Sequence, residues 1–154
     1  MAVDVVASKL EIAKKMGASH VVNASKEDIK TKVMELTHGD GIERIIEASG
    51  SASLLNESFT WLRKGGQMML IGVPKAPLHV ENVVRDVIQK SITLKSVHGR
   101  RIFATWQACK SLLASGEIDV RPIVSHEYPM SQYKEAFDTL FSGDACKILL
   151  DPQS

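Results

Sequence analysis

Short apolar runs alternate with helical patterns along most of the chain. The β-like runs are residues 1–6, 20–23, 42–48, 65–74 and 92–97. Between the first two, Leu10, Ala13 and Met16 recur at helical spacing, and Gly17 is the expected stop. This alternation is typical of an open, mostly parallel sheet with helices on both faces, so the predicted fold class is α/β and doubly wound.

Residues 65–74 form the most informative stretch. A glycine pair precedes a short apolar run, which Gly72 and Pro74 end. The pattern predicts a central strand that ends in a tight turn. At such a turn another group must approach the backbone of this chain closely. In open parallel sheets, ligands bind outside the carboxyl ends of the strands, so this end is expected to face a ligand.

The sequence also predicts the starts of two helices and the apolar side chains of two helices. Residues 25–28 resemble a capping box, and Ser131 is the expected cap of a later helix. The helix after residue 51 is expected to carry Leu62 on its apolar face. A helix over residues 103–114 is expected to bury four side chains: Trp106, Cys109, Leu112 and Leu113.

Composition narrows the class of protein. The 154 residues amount to one domain, and 19 basic against 18 acidic residues leave a net charge of +1, which indicates no nucleic-acid or membrane partner. No apolar run is long enough for a membrane span and no leader pattern is present, so a cytoplasmic protein is expected. Cys109 and Cys146 are predicted to be free thiols that form no metal site by themselves.

Several segments, taken in order, resemble the cofactor domain of zinc-dependent medium-chain alcohol dehydrogenases. They are Asp4, residues 9–18, residues 47–50, residues 64–66 and residues 70–74. Residues 97–100, 103–106 and 122–126 most resemble threonine dehydrogenases, with polyol dehydrogenases next. Each segment alone is a weak signal, whereas their order and spacing make the resemblance specific.

The resemblance covers essentially the whole chain but only the C-terminal half of the family's chain. No GxGxxG occurs in the sequence and no Cys/His/Glu cluster has ligand spacing. We therefore expect an incomplete Rossmann-like sheet that lacks the family's first strand and GxGxxG turn. By the resemblance, residues 1–120 are a partial NAD-binding domain, and residues 121–154 pack toward a catalytic domain. No catalytic or metal-binding residue is predicted in this chain.

The resemblance implies that Asp4 binds the adenosine ribose hydroxyls and favours NAD over NADP. Lys9 matches a basic residue beside the adenosine. The alternatives are a solvated acid near a frayed N-terminus and an ordinary surface lysine. Lys147 matches a basic residue that reaches the cofactor pyrophosphate.

The resemblance also places residues beside the nicotinamide. Ile71, Gly72 and Val73 match the backbone segment that lines this side of the cleft, with an ordinary buried strand end as the alternative. Val97 and His98 match the end of the next strand, although a lone histidine there is as often a surface residue.

For function, the resemblance implies the NAD-binding portion of an alcohol or threonine-type dehydrogenase. In the full-length family, hydride passes from a secondary alcohol to NAD while zinc polarises the alcohol oxygen. The chain alone is expected to be inactive. The alternative is a non-catalytic interaction protein derived from a nucleotide-binding fold. Because a missing strand exposes unpaired backbone groups, a homo-oligomer is expected.

Overall fold

A computed structural model of the chain describes residues 1–143 and 145–154. The described chain divides into two compact units. Unit 1 combines Met1–Glu27 with Ile102–Ser154, and unit 2 is Asp28–Arg101. The predicted division of the chain at residue 120 stays a prediction.

Parallel strands and helices alternate along the chain. The strands are β1 (Ala2–Asp4), β2 (Val21–Asn23), β3 (Ile42–Glu47), β4 (Leu62–Leu70), β5 (Thr93–Ser96), β6 (Val124–Pro129) and β7 (Lys147–Asp151). The α-helices are α1 (Ala7–Lys15), α2 (Ile29–Leu36), α3 (Ala52–Ser58), α4 (Ala104–Ala114) and α5 (Tyr133–Ser142). Single turns of π-helix and 3-10 helix occupy Val84–Ile88, Arg121–Ile123 and Met130–Gln132. Every described strand pair is parallel, which confirms the α/β class.

Unit 1 contains two separate two-stranded sheets, β1 with β2 and β6 with β7. Helix α1 packs against β1 and β2 and buries Leu10. The helix ends as its sequence predicts, because Gly17 adopts a φ of +97°, which glycine reaches without strain.

Unit 2 contains one three-stranded sheet in the order β3-β4-β5, so β4 is the central strand, as predicted. It begins earlier than expected, because Leu62 is its first residue and does not belong to helix α3. The pairing of β3 with β4 shifts register between Ile42 and Arg44. Gly65, with a φ of +70°, lies in the part of β4 that this shift leaves unpaired.

The core of unit 2 lies between α3 and the sheet. Leu55, Phe59, Leu62 and Met68 are each at most 2% exposed. Partly buried residues surround them: Ile45, Leu70, Val80, Val87 and Ile92. Apolar burial of this kind is the main stabilising contribution in a small unit.

Both predicted helix caps are wrong. Asp28 caps α2 by accepting the Thr31 N–H at 2.7 Å, and the hydrogen bonds from Thr31 lower the pKa of Asp28. Ser25 instead donates its hydroxyl to Asn23 Oδ1 in the turn after β2. Ser131 lies inside a 3-10 turn, and α5 begins after Gln132, which makes no side-chain cap.

The predicted burial along α4 is also wrong. Trp106 is 52% exposed and Leu113 is 48% exposed. Cys109 is exposed and Leu112 is only half-buried. Helical spacing predicts which side chains share a face of the helix, but their burial depends on another surface that covers this face, which the spacing does not specify.

Among the helices of residues 1–143 and 145–154, none combines the length and the hydropathy of a membrane span.

The π-helical turn contains a buried ion-paired acid, and a lysine that follows the turn bonds to the segment after α3. Asp86 is 2% exposed and accepts two hydrogen bonds from the Arg85 guanidinium, at 2.8 and 2.6 Å. The Arg85 guanidinium lowers the pKa of Asp86. Lys90 donates to the carbonyls of Phe59 and Thr60 at the end of α3, at 2.9 and 3.1 Å, and burial lowers the pKa of Lys90.

Replacing Leu55 with alanine is expected to lower the free energy of unfolding of unit 2 by about 2–5 kcal/mol, because the removed atoms leave a cavity under α3. Urea unfolding followed by the fluorescence of buried Trp61, in a Trp106→Phe background, measures this loss. Ile88→Ala is the matched control, since Ile88 is 63% exposed. A loss no larger than that of the control would contradict the assigned core.

The Arg85–Asp86 pair makes stability depend on pH. Because the folded pKa of Asp86 lies below its unfolded value, its stabilisation is present above the ordinary aspartate pKa and is lost as pH falls through the folded pKa. The difference in unfolding free energy between wild type and Asp86→Asn should therefore be constant from neutral pH to mild acid and shrink below about pH 4. Asp40→Asn, at an exposed position, should show no such change. A pH-independent difference for Asp86→Asn would contradict the assignment.

Candidate functional site

The carboxyl edge of the β3-β4-β5 sheet is held by main-chain hydrogen bonds. The N–H groups of Ile71 and Gly72 both donate to the Glu47 carbonyl, at 2.8 and 2.9 Å. The N–H of Val97 donates to the Leu70 carbonyl at 2.9 Å. The turns that follow the three strands therefore meet at one edge, as in other parallel sheets that bind ligands there.

Two glycines bring the turns after β3 and β4 into direct backbone contact. A Cβ on Gly72 would lie 2.4 Å from the Gly50 nitrogen and 2.5 Å from Glu47 Oε2. A Cβ on Gly50 would lie 2.9 Å from the Val73 carbonyl oxygen. No side chain fits at either position without displacing backbone, so bare main chain forms this part of the edge.

Apolar side chains project into solvent beside these glycines. Ile71 is 51%, Val73 is 73% and Val97 is 46% exposed. The alternative interpretation of Ile71 and Val73 as an ordinary buried strand end is therefore wrong. His98 follows Val97 and is exposed. All five residues predicted for the nicotinamide side thus follow the ends of β4 and β5 in unit 2.

Asp4 and Lys9 lie on successive elements of unit 1, strand β1 and helix α1. Asp4 is the last residue of β1, pairs with Asn23 of β2, and accepts the Val6 N–H on Oδ1 at 2.9 Å. It is therefore ordered by the strand and is not part of a frayed terminus. Lys9 is half-buried in the first turns of α1. In the described chain neither side chain forms an ion pair.

Lys147 belongs to a different sheet of unit 1. It is exposed at the start of β7, and its carbonyl accepts the Ser125 hydroxyl at 3.1 Å. Among residues 1–143 and 145–154, no hydrogen bond or ion pair joins it to Asp4 or Lys9. The roles of all eight residues toward a nucleotide remain predictions.

Clustered metal-binding side chains are absent from the described residues. Over residues 1–143 and 145–154, no group of three or more His, Cys, Asp or Glu side chains has the geometry to hold a metal ion. The described residues therefore do not fit a zinc site.

Sequence reasoning missed the most buried acid of this edge. Glu47 is 7% exposed, and its Oε1 accepts hydrogen bonds from the N–H and hydroxyl of Ser49 and from the N–H of Gly50. The signal in the sequence was an acid at the end of an apolar run, directly before Ser49 and Gly50. A side-chain carboxylate in that place can accept hydrogen bonds from the backbone of the turn that follows. Its burial was not visible in that pattern.

The family match and the curated relatives of this chain agree on one kind of protein. Residues 1–115 match the family described as zinc-binding dehydrogenase. L-threonine 3-dehydrogenase of Vibrio parahaemolyticus is 34% identical over 148 residues, which cover 96% of this chain and 42% of that protein. The chain spans 41–44% of the length of the curated relatives it matches.

Solved structures confirm the Rossmann-like α/β fold. Alcohol dehydrogenase TADH from Thermus sp. ATN1 is 28% identical with a TM-score of 0.86, over 97% of this chain and 44% of that chain. A protein described as a short chain alcohol dehydrogenase, from E. coli CFT073 and solved with NADH, is 23% identical with a TM-score of 0.83, over 96% of this chain and 43% of that chain. The second likeness shows the fold alone.

Replacing Gly72 with alanine is expected to destabilise unit 2 by about 1–3 kcal/mol, because the new methyl group displaces the Gly50 backbone or the Glu47 carboxylate. Urea unfolding followed by Trp61 fluorescence measures the change. Gly39→Asn is the control: Gly39 has a φ of +87° with nothing within 4 Å, and asparagine tolerates that backbone. Equal effects of the two substitutions would contradict the close contact at Gly72.

Proposed function

The chain belongs to the zinc-binding dehydrogenase family, and we propose that it carries the NAD-binding part of a dehydrogenase that oxidises a secondary alcohol. One observation carries the proposal: the carboxyl edge of unit 2 combines the bare backbone of Gly50 and Gly72 with the exposed side chains of Ile71 and Val73. Apolar walls with close main chain suit a flat aromatic ring such as nicotinamide.

Asp4 is the residue proposed to bind the adenosine ribose of NAD. The Asp4 carboxylate, fixed on one oxygen by the Val6 N–H, accepts the ribose hydroxyls on its other oxygen. Its negative charge repels the 2′-phosphate of NADP, so NAD is preferred. Lys9 flanks the adenosine with a positive charge, and Lys147, exposed on β7, is the proposed contact for the pyrophosphate.

NAD, when bound, supplies the hydride acceptor. Ile71, Val73 and Val97 exclude water from one side of the ring, and the Glu47 carbonyl fixes the turn that carries Ile71 and Gly72. His98 lies at the edge of this wall. Because the described residues do not form a metal site, no metal-dependent step is assigned to this chain.

The proposed substrate class is a threonine-like or polyol secondary alcohol. It rests on the resemblance of residues 97–100, 103–106 and 122–126 and on relatives named L-threonine 3-dehydrogenase. Those relatives are more than twice as long as this chain, so the substrate and the activity of the whole protein remain proposals.

A second candidate is a non-catalytic interaction protein, and the exposure of α4 favours it. Phe103 and Trp106 contact each other edge to face while they remain 70% and 52% exposed. Exposed aromatic side chains are typical of protein interfaces. Calorimetric titration with NAD separates the candidates, since the interaction protein has no need to bind it.

Replacing Asp4 with asparagine is expected to weaken NAD binding about tenfold, because a charged acceptor of the ribose hydroxyls is lost. NADP binding should not weaken, since the repulsion of its 2′-phosphate is removed. Isothermal titration calorimetry of both nucleotides measures this.

The matched control is Glu11→Gln, which changes an exposed acid on α1 that pairs with Lys14. It should leave both affinities unchanged. If the wild-type chain does not bind NAD at millimolar concentration, the proposed function is contradicted. If Asp4→Asn binds NAD with wild-type affinity, the proposed role of Asp4 is contradicted.

A further inference from the structure

Glu47 is a buried acid that the proposed function leaves unexplained. Its side chain closes the turn after β3 through Oε1, which accepts the N–H groups of Ser49 and Gly50 at 2.8 and 3.0 Å and the Ser49 hydroxyl. Its other oxygen, Oε2, is buried and has no hydrogen-bond partner among the described residues. A buried acceptor without a partner costs free energy and calls for a physical explanation.

The unpartnered oxygen lies against the second turn. It occupies the space that a side chain on Gly72 would need, 2.5 Å from an ideal Cβ at that position. The main-chain carbonyl of Glu47 meanwhile accepts the N–H groups of Ile71 and Gly72. One residue therefore holds residues 48–51 by its side chain and residues 71–72 by its main chain, with Oε2 packed between the two turns.

The chemistry of the acid suits this place better than that of its amide. A carboxylate presents acceptors only, which match the three donors of the first turn. Glutamine would keep one acceptor there but place two N–H donors where Oε2 lies. The Gly50 nitrogen, which also lies beside Gly72, is itself a hydrogen-bond donor, so the amide suits this place less well than the carboxylate does.

We propose that Glu47 is a positioning residue for the nicotinamide half of the site, a role that rests on the proposed function. Its carboxylate locks the turn after β3 against Gly72, so that Ile71 and Val73 are held in place before the cofactor arrives. Preorganised walls lower the entropy that binding must overcome. Loss of the carboxylate loosens both turns together and weakens contacts to nicotinamide, while contacts to adenosine are unaffected.

The first test needs no ligand. Hydrogen–deuterium exchange is compared for wild type, Glu47→Gln and the control Glu43→Gln, which alters an exposed acid of the same strand that pairs with Arg63 at 2.8 Å. Glu47→Gln should accelerate exchange about tenfold in peptides covering both residues 48–51 and residues 71–73, as expected for local opening. Acceleration confined to residues 48–51, or equal acceleration in the control, would overturn the coupling of the two turns.

The second test uses two ligands that differ only in the nicotinamide. By calorimetry, Glu47→Gln should weaken NAD binding about tenfold and ADP-ribose binding less than about twofold. Asp4→Asn should weaken both ligands alike, because both contain the adenosine ribose. Equal losses for both ligands in Glu47→Gln indicate a merely structural role and would overturn the proposal.

The failure of the proposed function has a different signature. If wild type binds neither ligand, the NAD assignment fails, and the role of Glu47 toward nicotinamide fails with it. The exchange measurement still decides whether Glu47 couples the two turns.

If Glu47→Gln does not fold, Ser49→Ala replaces it as the test variant, since it removes one hydrogen-bond donor to Oε1 and keeps the carboxylate. Ser49→Ala should shift the ratio of NAD to ADP-ribose affinity in the same direction, and an unchanged ratio would overturn the proposal.

Discussion

The contact between the turns after β3 and β4 is the constraint on which the site in unit 2 depends. Both Ile71 and Gly72 donate to the Glu47 carbonyl, and Gly50 faces Gly72 at a separation that excludes any side chain. Parallel strands end at the same edge, so a contact at this point fixes the geometry of everything that projects from it. The exposed apolar residues Ile71 and Val73 project from the turn at this contact.

That support depends in turn on the core below it. Helix α3 covers the sheet through Leu55 and Phe59, and Met68 at the centre of β4 is 1% exposed. The Lys90 side chain donates to the carbonyls of Phe59 and Thr60, the two residues that follow α3. The same helix begins one residue after Ser51, so the packing of α3 also sets the position of the turn that Glu47 closes.

The family membership and the geometry of the sheet edge are two separate arguments for the proposed function. Membership rests on the family match over residues 1–115, whereas the edge at Gly50 and Gly72 is the place proposed for the nicotinamide. Asp4 is the last residue of β1 in unit 1, and Gly72 follows β4 in unit 2. The role of each residue toward a nucleotide is a separate proposal, and each lies at the carboxyl end of a parallel strand.

The sequence by itself determined the α/β class, the order of elements, the central place of β4 and the stop of α1 at Gly17, because periodicity and glycine act locally. It also carried the family, through the order of Asp4, residues 47–50 and residues 70–74. Only the tertiary structure decided that Asp28 caps α2, that Trp106 is exposed and that Glu47 is buried with one oxygen unpartnered. These properties arise from contacts between distant segments or from competing local hydrogen bonds, which spacing along the chain does not encode.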